Sequence, residues 1–485
     1  MNKRVLLTTP LGAALIVSLS GCAVGPDYKA PQVNAPASWA EPAAASSDAA
    51  TPFVSDWWTT FNDPVLSSLV TRAVSANHDL RLAAARVTEA RAARGVTASS
   101  FGPAVDAAGS ATRSRRSENT AQGGQFGDPE SAEFSAGFDM TWELDFWGRI
   151  RRSVEAADAD IGAAIANRDA VLVTLLGDVG RSYVELRGLQ QRRAVTMRNI
   201  GVQQSALDLT QKRFDAGLTT ELDVQQATTQ LATTQAALPT IEGGIRRAIY
   251  RLGILTGQHP GALVAELSAD GAIPSASAPV ALGLPSDLVR RRPDVAAAER
   301  GIAAATARIG VATADFFPRF DLAGSLGLRS DGLDNFGDAT SRFWSIGPGF
   351  RWPVLDWGRI RNNVRVQDAR TEQALISYER TVLTSFEDVE SALASYTSEL
   401  ARAEALSRAV DASRRAVALA EQQYSSGLRD FLNVLTTQRA QFEAEDQLVA
   451  SRQLVATNLV ALYKALGGGW DVNFPAEVSP KPLQP

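Results

Sequence analysis

The sequence predicts an α+β fold in which one unit is written twice, each copy joining two strands of about ten residues to long helices. Three observations carry this. Trp147-Gly148-Arg149-Ile150-Arg151 recurs as Trp357-Gly358-Arg359-Ile360-Arg361. At the same spacing Phe214-Asp215-Ala216-Gly217-Leu218 recurs as Tyr424-Ser425-Ser426-Gly427-Leu428, and Leu222-Asp223-Val224 as Leu432-Asn433-Val434. The chain has 22 prolines yet none between Pro353 and Pro475, and proline is what helix interiors exclude. Between the helical tracts apolar and polar residues alternate, the period of a strand with two unlike faces.

Taken in order, Lys3 and Arg4 precede an apolar run, Val5 to Leu19, that is short for a bilayer span, so residues 1–21 read as a secretory signal peptide. Leu19-Ser20-Gly21-Cys22 resembles the lipobox of bacterial lipoproteins. That resemblance implies cleavage before Cys22, N-acyl and diacylglyceryl lipid on this single cysteine and, with Ala23 following, an outer-membrane address. Residues 22–62, rich in Pro, Ala and Ser, predict a lipid-anchored extended segment.

Residues 63–257 form the first repeat: a helix over about 63–100 stopped by Phe101-Gly102-Pro103, strands over about 104–114 and 134–144, a long helix over 148–214, and a helix over 219–256 that Pro239 should kink. A linker, 258–284, leads to the second repeat, 285–470. It holds a helix over about 285–316, strands over about 319–328 and 343–354, a long helix over 358–425 and a helix over 430–466. Residues 471–485 are a tail. At a rise of about 1.5 Å per residue, each long helix would reach about 100 Å, more than a compact domain needs. Asp145 and Asp356 stand where a carboxylate caps the free amides of these helices, and Asp79 and Asp294 are expected to do the same for the shorter ones. Gly217 and Gly427 end the long helices in the left-handed conformation.

The strands decide the environment. Phe134, Ala136, Phe138, Met140, Trp142 and Leu144 share one face, and Ser135, Gly137, Asp139, Thr141 and Glu143 the other. With an outer-membrane address, apolar outside and polar inside is the pattern of a lipid-facing barrel. Four strands cannot close, and open edges are not tolerated in lipid. Two copies would give eight strands and a filled interior; three give twelve and a water-filled lumen. A homotrimer embedded in outer-membrane lipid follows.

Composition narrows the function. With 48 basic and 53 acidic side chains and a net charge of −5, there is no basic surface for nucleic acid. One cysteine and two histidines leave no material for a thiolate cluster or a histidine metal site, and no phosphate loop occurs, so no cofactor, metal or catalytic constellation is expected.

The chain resembles the outer-membrane factor family of tripartite efflux systems, in its lipoprotein, NodT-like branch. The resemblance rests on Gly25-Pro26-Asp27-Tyr28, Trp57-Trp58 with Phe61-Asp63-Pro64, Asn77 with Asp79-Leu80, Arg291-Arg292-Pro293-Asp294-Val295, the elbows Leu144-Asp145-Phe146-Trp147-Gly148 and Leu355-Asp356-Trp357-Gly358, and Leu462-Tyr463-Lys464-Ala465-Leu466-Gly467-Gly468-Gly469-Trp470. It implies a homotrimer whose twelve-stranded barrel continues into an α-helical barrel in the periplasm, with a periplasmic adaptor and an inner-membrane pump of the resistance-nodulation-division class as partners. The implied activity is a passive exit duct for drugs or small molecules. It also implies a periplasmic gate at the helix tips, to which Tyr424, Leu432 and Arg439 correspond by spacing. Thr436 stands where an aspartate is expected, and Asp223 is the acceptor for Arg439 and Tyr424 from a neighbouring tip. Gly217, Leu218, Gly427 and Leu428 are the implied adaptor contacts. Two alternatives stand beside this reading: an exit duct for type I protein secretion and a structural coiled-coil lipoprotein.

Overall fold

A computed structural model describes residues 23–41, 55–117, 119, 130–275, 282 and 284–470; the signal peptide, Cys22, most of the predicted loop Ser117 to Gln125 and the tail 471–485 lie outside these. Two compact units result, each drawing on both repeats. Of the described residues, one takes those within 23–31, 87–164 and 298–378, and the other those within 32–86, 165–297 and 379–470.

The helices preceding the strands are each split in two. In place of one helix over 63–100, α1 (Pro64–Ala76) and α2 (His78–Ser99) meet at Asn77, whose backbone is extended. The buried Asn77 side chain accepts from Leu80 N at 3.0 Å and donates to Leu255 O at 3.0 Å, so Asn77 is the cap expected of Asp79. In the second repeat α6 (Pro285–Arg291) and α7 (Pro293–Ala314) are divided by Arg292, extended because Pro293 follows. The Arg292 guanidinium ties the break down, reaching Asp294 at 2.7 Å, Asp388 at 2.9 Å and Ala465 O at 3.1 Å. The long helices are α3 (Arg149–Asp215) and α8 (Arg359–Ser425), each 67 residues. Each starts on its elbow aspartate: Asp145 accepts from Ile150 N at 2.9 Å and Arg151 N at 3.0 Å, and Asp356 from Ile360 N at 2.8 Å. The returning helices are α4 (Glu221–Leu255), which contains Pro239, and α9 (Phe431–Ala465). The expected linker 258–284 holds one helical turn, α5 (Val264–Leu267), with Leu263 and Leu267 buried.

The N-terminal segment departs furthest from expectation. It is not a bare tether. Residues 57–61 form a 3-10 turn that places Trp57, Trp58 and Phe61 in the core of the second unit. Trp57 is 1% exposed, stacks on Tyr463 at 5.6 Å and meets Trp58 and Phe61 edge-on. Asp63 caps α1 through Val65 N at 2.9 Å and accepts from the Tyr183 hydroxyl at 2.7 Å. Further upstream, Val24 N donates to Trp147 O at 3.1 Å, Arg152 binds Asp27 at 2.7 Å, and the Tyr28 hydroxyl donates to Glu299 at 2.7 Å, all within the first unit. Gly25 is required there: its φ is +92°, and a side chain would meet Gly310.

The sheet runs β1 (Ala104–Arg115), β2 (Glu130–Leu144), β3 (Arg319–Ser330), β4 (Arg342–Arg351) in chain order, every pair antiparallel. β4 stops at Arg351 instead of 354. Residues directly opposite share a face, so the pairings Phe138↔Leu326↔Trp344, Trp142↔Leu322↔Pro348 and Leu144↔Phe320↔Phe350 align one apolar face across three strands. The opposite face carries Asp106↔Asp139↔Ser325↔Ser345 and Glu143↔Asp321. Phe138 and Trp344 are 57% and 75% exposed, large apolar groups with nothing among the described residues to cover them. Phe138→Arg should therefore cost about 2–4 kcal/mol in urea unfolding of the bilayer-inserted protein, the penalty near a bilayer midplane. Asp139→Arg, one residue along on the polar face, should leave that stability near the parent's and change ion conductance. Equal losses from the two would mean that the faces are misassigned.

Candidate functional site

The helix tips carry the residues that the sequence singles out for gating. α3 and α8 end alike. Gly217 has φ +68° and Gly427 φ +74°; Leu218 N reaches back to Arg213 O at 2.8 Å, and Leu428 N to Gln423 O at 2.9 Å. Both are Schellman closures, which need a residue without a Cβ penalty at positive φ. Leu218 and Leu428, just past these glycines, are 66% and 74% exposed.

Beneath the turns lies a small core of Ala227, Ala420, Tyr424, Phe431, Val434 and Leu435. Tyr424 is inside it and not on a surface: it is 4% exposed, meets Phe431 edge-on at 5.5 Å, and its hydroxyl has no hydrogen-bond partner among the described residues. Arg213 lies over the Tyr424 ring at 4.7 Å and donates to Tyr424 O at 3.1 Å, a carbonyl that also accepts from Gly427 N at 3.0 Å, so one hairpin's arginine ties down the end of the other hairpin's long helix. Arg439 Nε donates to Gln230 Oε1 at 2.6 Å, a second tie from α9 to α4. The expected acceptor, Asp223, is engaged elsewhere in the chain. It accepts from the Thr219 hydroxyl and from Thr220 N at 3.2 Å and Oγ1 at 3.1 Å, holding the start of α4. Asn433, its counterpart in the second repeat, carries no carboxylate; there Asn433 N donates to Asp430 O at 3.2 Å.

Leu432 and Thr436 lie on α9 one helical turn apart. Leu432 is 54% exposed, and the exposed Thr436 turns its hydroxyl back to Leu432 O at 2.9 Å. Thus Leu432 is an accessible apolar group, Thr436 is neutral, and Arg439 is already bonded within the chain. Sequence reasoning missed Arg213 and Gln230. Arg213 directly precedes a repeat match, but Gln423 occupies the equivalent place in the second copy, so the repeat gives no signal for it.

Charge at the tips is set by local bonding. Burial pushes the Asp223 carboxyl up, but donation from the Thr219 hydroxyl and from the Thr220 amide and hydroxyl outweighs it, so it titrates below its ordinary 3.8. Its stabilisation is complete above that ordinary value and is lost as pH falls through the lowered one. Asp223→Asn should accordingly leave the pH profile of conductance unchanged between about pH 5 and 8. Single-channel recordings across that range test this, and a new titration step in either protein would contradict it. Among the described residues no group of His, Cys, Asp or Glu could hold a metal, and no helix is long and apolar enough to cross a membrane.

The sequence model "Outer membrane efflux protein" matches residues 69–258 and 284–468, one segment for each repeat. Nodulation protein T of Rhizobium leguminosarum bv. trifolii is 32% identical over 468 residues, covering 96% of this chain and 97% of that protein. The pyoverdine export outer membrane protein OpmQ of Pseudomonas aeruginosa is 32% identical over 458 residues, covering 93% of this chain and 95% of that protein. Among solved structures, the outer-membrane channel OprN superposes with a TM-score of 0.84 at 37% identity, over 93% of this chain and 100% of that one. The open-state MtrE outer membrane channel of Neisseria gonorrhoeae superposes with a TM-score of 0.78 at 26% identity, over 93% and 99%.

Proposed function

The chain belongs to the outer membrane efflux protein family, and from that premise we propose a passive duct that carries small molecules out of the cell in a tripartite pump. Its outer-membrane location and its role as an efflux exit channel are those of its relatives. The fold is theirs as well: the four-stranded sheet is one third of a twelve-stranded trimeric barrel, and the long helices belong to a periplasmic helical barrel. One observation in this chain carries the reading. The β-strand register gathers Phe138, Trp142, Leu144, Leu322, Leu326, Trp344 and Phe350 on one face and the carboxylates of Asp106, Asp139, Glu143 and Asp321 on the other, which suits lipid outside and an aqueous path inside.

The finer proposal names a periplasmic adaptor, docking on Gly217, Leu218, Gly427 and Leu428, and an inner-membrane pump of the resistance-nodulation-division class. Leu432, Thr436 and Arg439 form the closed end of the duct, with Tyr424 supporting them from behind. Small molecules are favoured over secreted proteins because relatives bear names such as toluene efflux pump outer membrane protein and pyoverdine export outer membrane protein. Deletion should sensitise the host to pump substrates, and the plasmid-borne gene should restore resistance only when adaptor and pump are present. Restoration without a pump would refute the duct.

Cys22, outside the described residues, is proposed to carry the N-acyl and diacylglyceryl lipid that anchors the chain. The docking of Ala23 and Val24 at Gly148 and Trp147 supports this, since it fixes the chain just after Cys22 beside the first elbow, where β2 meets α3. Cys22→Ser behind a cleavable signal should abolish acylation, read by mass spectrometry, while trimers still form and conduct, because the sheet supplies its own apolar band. A soluble monomer would show that the lipid drives assembly.

A further inference from the structure

We propose that the lipid-facing side of the sheet binds a phosphorylated lipid, lipopolysaccharide, at the end far from the helices, with its phosphates held by Arg342, Arg113 and Arg115. This rests on the barrel reading above. The register assigns these arginines to the apolar face: Val105 pairs with Met140, so Gly109, Arg113 and Arg115 follow on that face, and Arg342 pairs with Leu328.

The cations stand at one end only. Arg113, Arg115 and Arg342 lie by the β1–β2 and β3–β4 connections, whereas the rows nearest the long helices hold Leu144, Phe320, Phe350 and Trp142, with no charge on that face. Snorkelling toward water would favour arginine equally at both ends. A one-sided cluster instead matches a bilayer with its phosphates concentrated in one leaflet, and in the outer membrane that is the outer leaflet with its lipopolysaccharide. Arg113 and Arg115 pair with Glu130 at 2.7 and 3.7 Å but keep their side chains 79% and 65% exposed. The exposed Arg342 guanidinium has no ion pair among the described residues.

Below Arg342 the same face is grooved. Gly109 and Ala136 leave a floor with little side chain, Phe138, Leu326 and Leu328 wall it, and Arg342 stands at its head in a groove of about 610 Å³. An apolar channel headed by a guanidinium suits an acyl chain with a phosphate at its top. The lone sheet has β1 and β4 as its edges, so closing the barrel brings β4 of one protomer against β1 of the next. Arg342 then shares a seam with Arg113 and Arg115 of that copy, giving three equivalent sites.

The test uses full-length trimers extracted from outer membranes in mild detergent and examined by native mass spectrometry. The parent should retain lipopolysaccharide, and Arg113→Gln with Arg342→Gln should lower its occupancy about tenfold, the loss expected when charge-assisted bonds to phosphate go. Leu328→Trp, which fills the groove and leaves every charge in place, should also lower it. Adding back lipid A should raise the trimer dissociation temperature of the parent and not of the double variant. Equal occupancy in parent and double variant, a parent that retains no lipopolysaccharide, or one stabilised as well by phosphatidylglycerol would overturn the proposal. Planar-bilayer conductance of the parent separates the two levels: conducting trimers without bound lipopolysaccharide refute this site alone, and absence of conducting trimers refutes the barrel.

Discussion

Trp57→Ala is expected to lower the stability of the helical unit by about 3–5 kcal/mol, the range for deleting a buried aromatic. The indole is 1% exposed, lies flat on Tyr463, and has Trp58 and Phe61 against its edges, so truncation leaves a cavity bounded by three rings. Collapse is hindered from the other side. Gly180 approaches the indole so closely that a Cβ there would lie 2.7 Å from Trp57 Cη2, and the glycine has no side chain of its own to enter the gap. Trp57→Phe should lose less, since a ring can still stack on Tyr463. Thermal unfolding followed by helical circular dichroism measures both. A Trp57→Ala protein as stable as the parent would mean that residues 57–61 merely lie on the unit without helping to form it.

The second large effect is expected at the tips. Leu432→Ala with Arg439→Ser removes an exposed apolar group and the 2.6 Å bond to Gln230. A charge-assisted bond contributes about 1.5–3 kcal/mol, so its loss should move the closed-to-open balance about tenfold or more toward open. Conductance of the isolated trimer should rise, and large antibiotics should enter cells that lack the pump. Gln230→Ala should reproduce the Arg439→Ser component, because the structure makes Gln230 the acceptor, whereas Asp223→Ala should not. Unchanged conductance from intact trimers of the double variant would place the constriction elsewhere. Thr436→Asp gives a directional check: if position 436 faces the axis, three carboxylates converge and cation block becomes pH-dependent, and if it faces a helix seam the profile stays flat.

The sequence was most legible where a period or a punctuation residue acts alone. The long helices announced themselves by proline-free tracts between an elbow aspartate and a glycine, and the β-strand faces by alternation, because each signal is local. Legibility failed where one side chain serves a distant partner. Asn77 interrupts a helix by bonding Leu255 O far along the chain, and nothing in its neighbourhood distinguishes it from Asp79 as a cap. Trp57 and Trp58 sit in a Pro- and Ala-rich stretch whose composition reads as a tether, but their partner Tyr463 lies near the other end of the sequence. At the tips, spacing located Tyr424, Leu432 and Arg439 without revealing that Tyr424 is inside a core or that Arg439 is paired with Gln230.

The sheet's two outer strands also bear on the order of events during biogenesis. A single protomer presents β1 and β4 with one side of each unpaired, about ten residues of donors and acceptors on either flank. Hydrocarbon would penalise each such group by several kcal/mol, so association has to precede or accompany entry into the bilayer. Insertion should then be a high-order process in protein concentration, slow while newly exported chains are scarce and steep once they accumulate. Until three copies meet, each waiting chain exposes a strand edge that another polypeptide can extend, which makes the periplasmic protomer a natural client for holding chaperones.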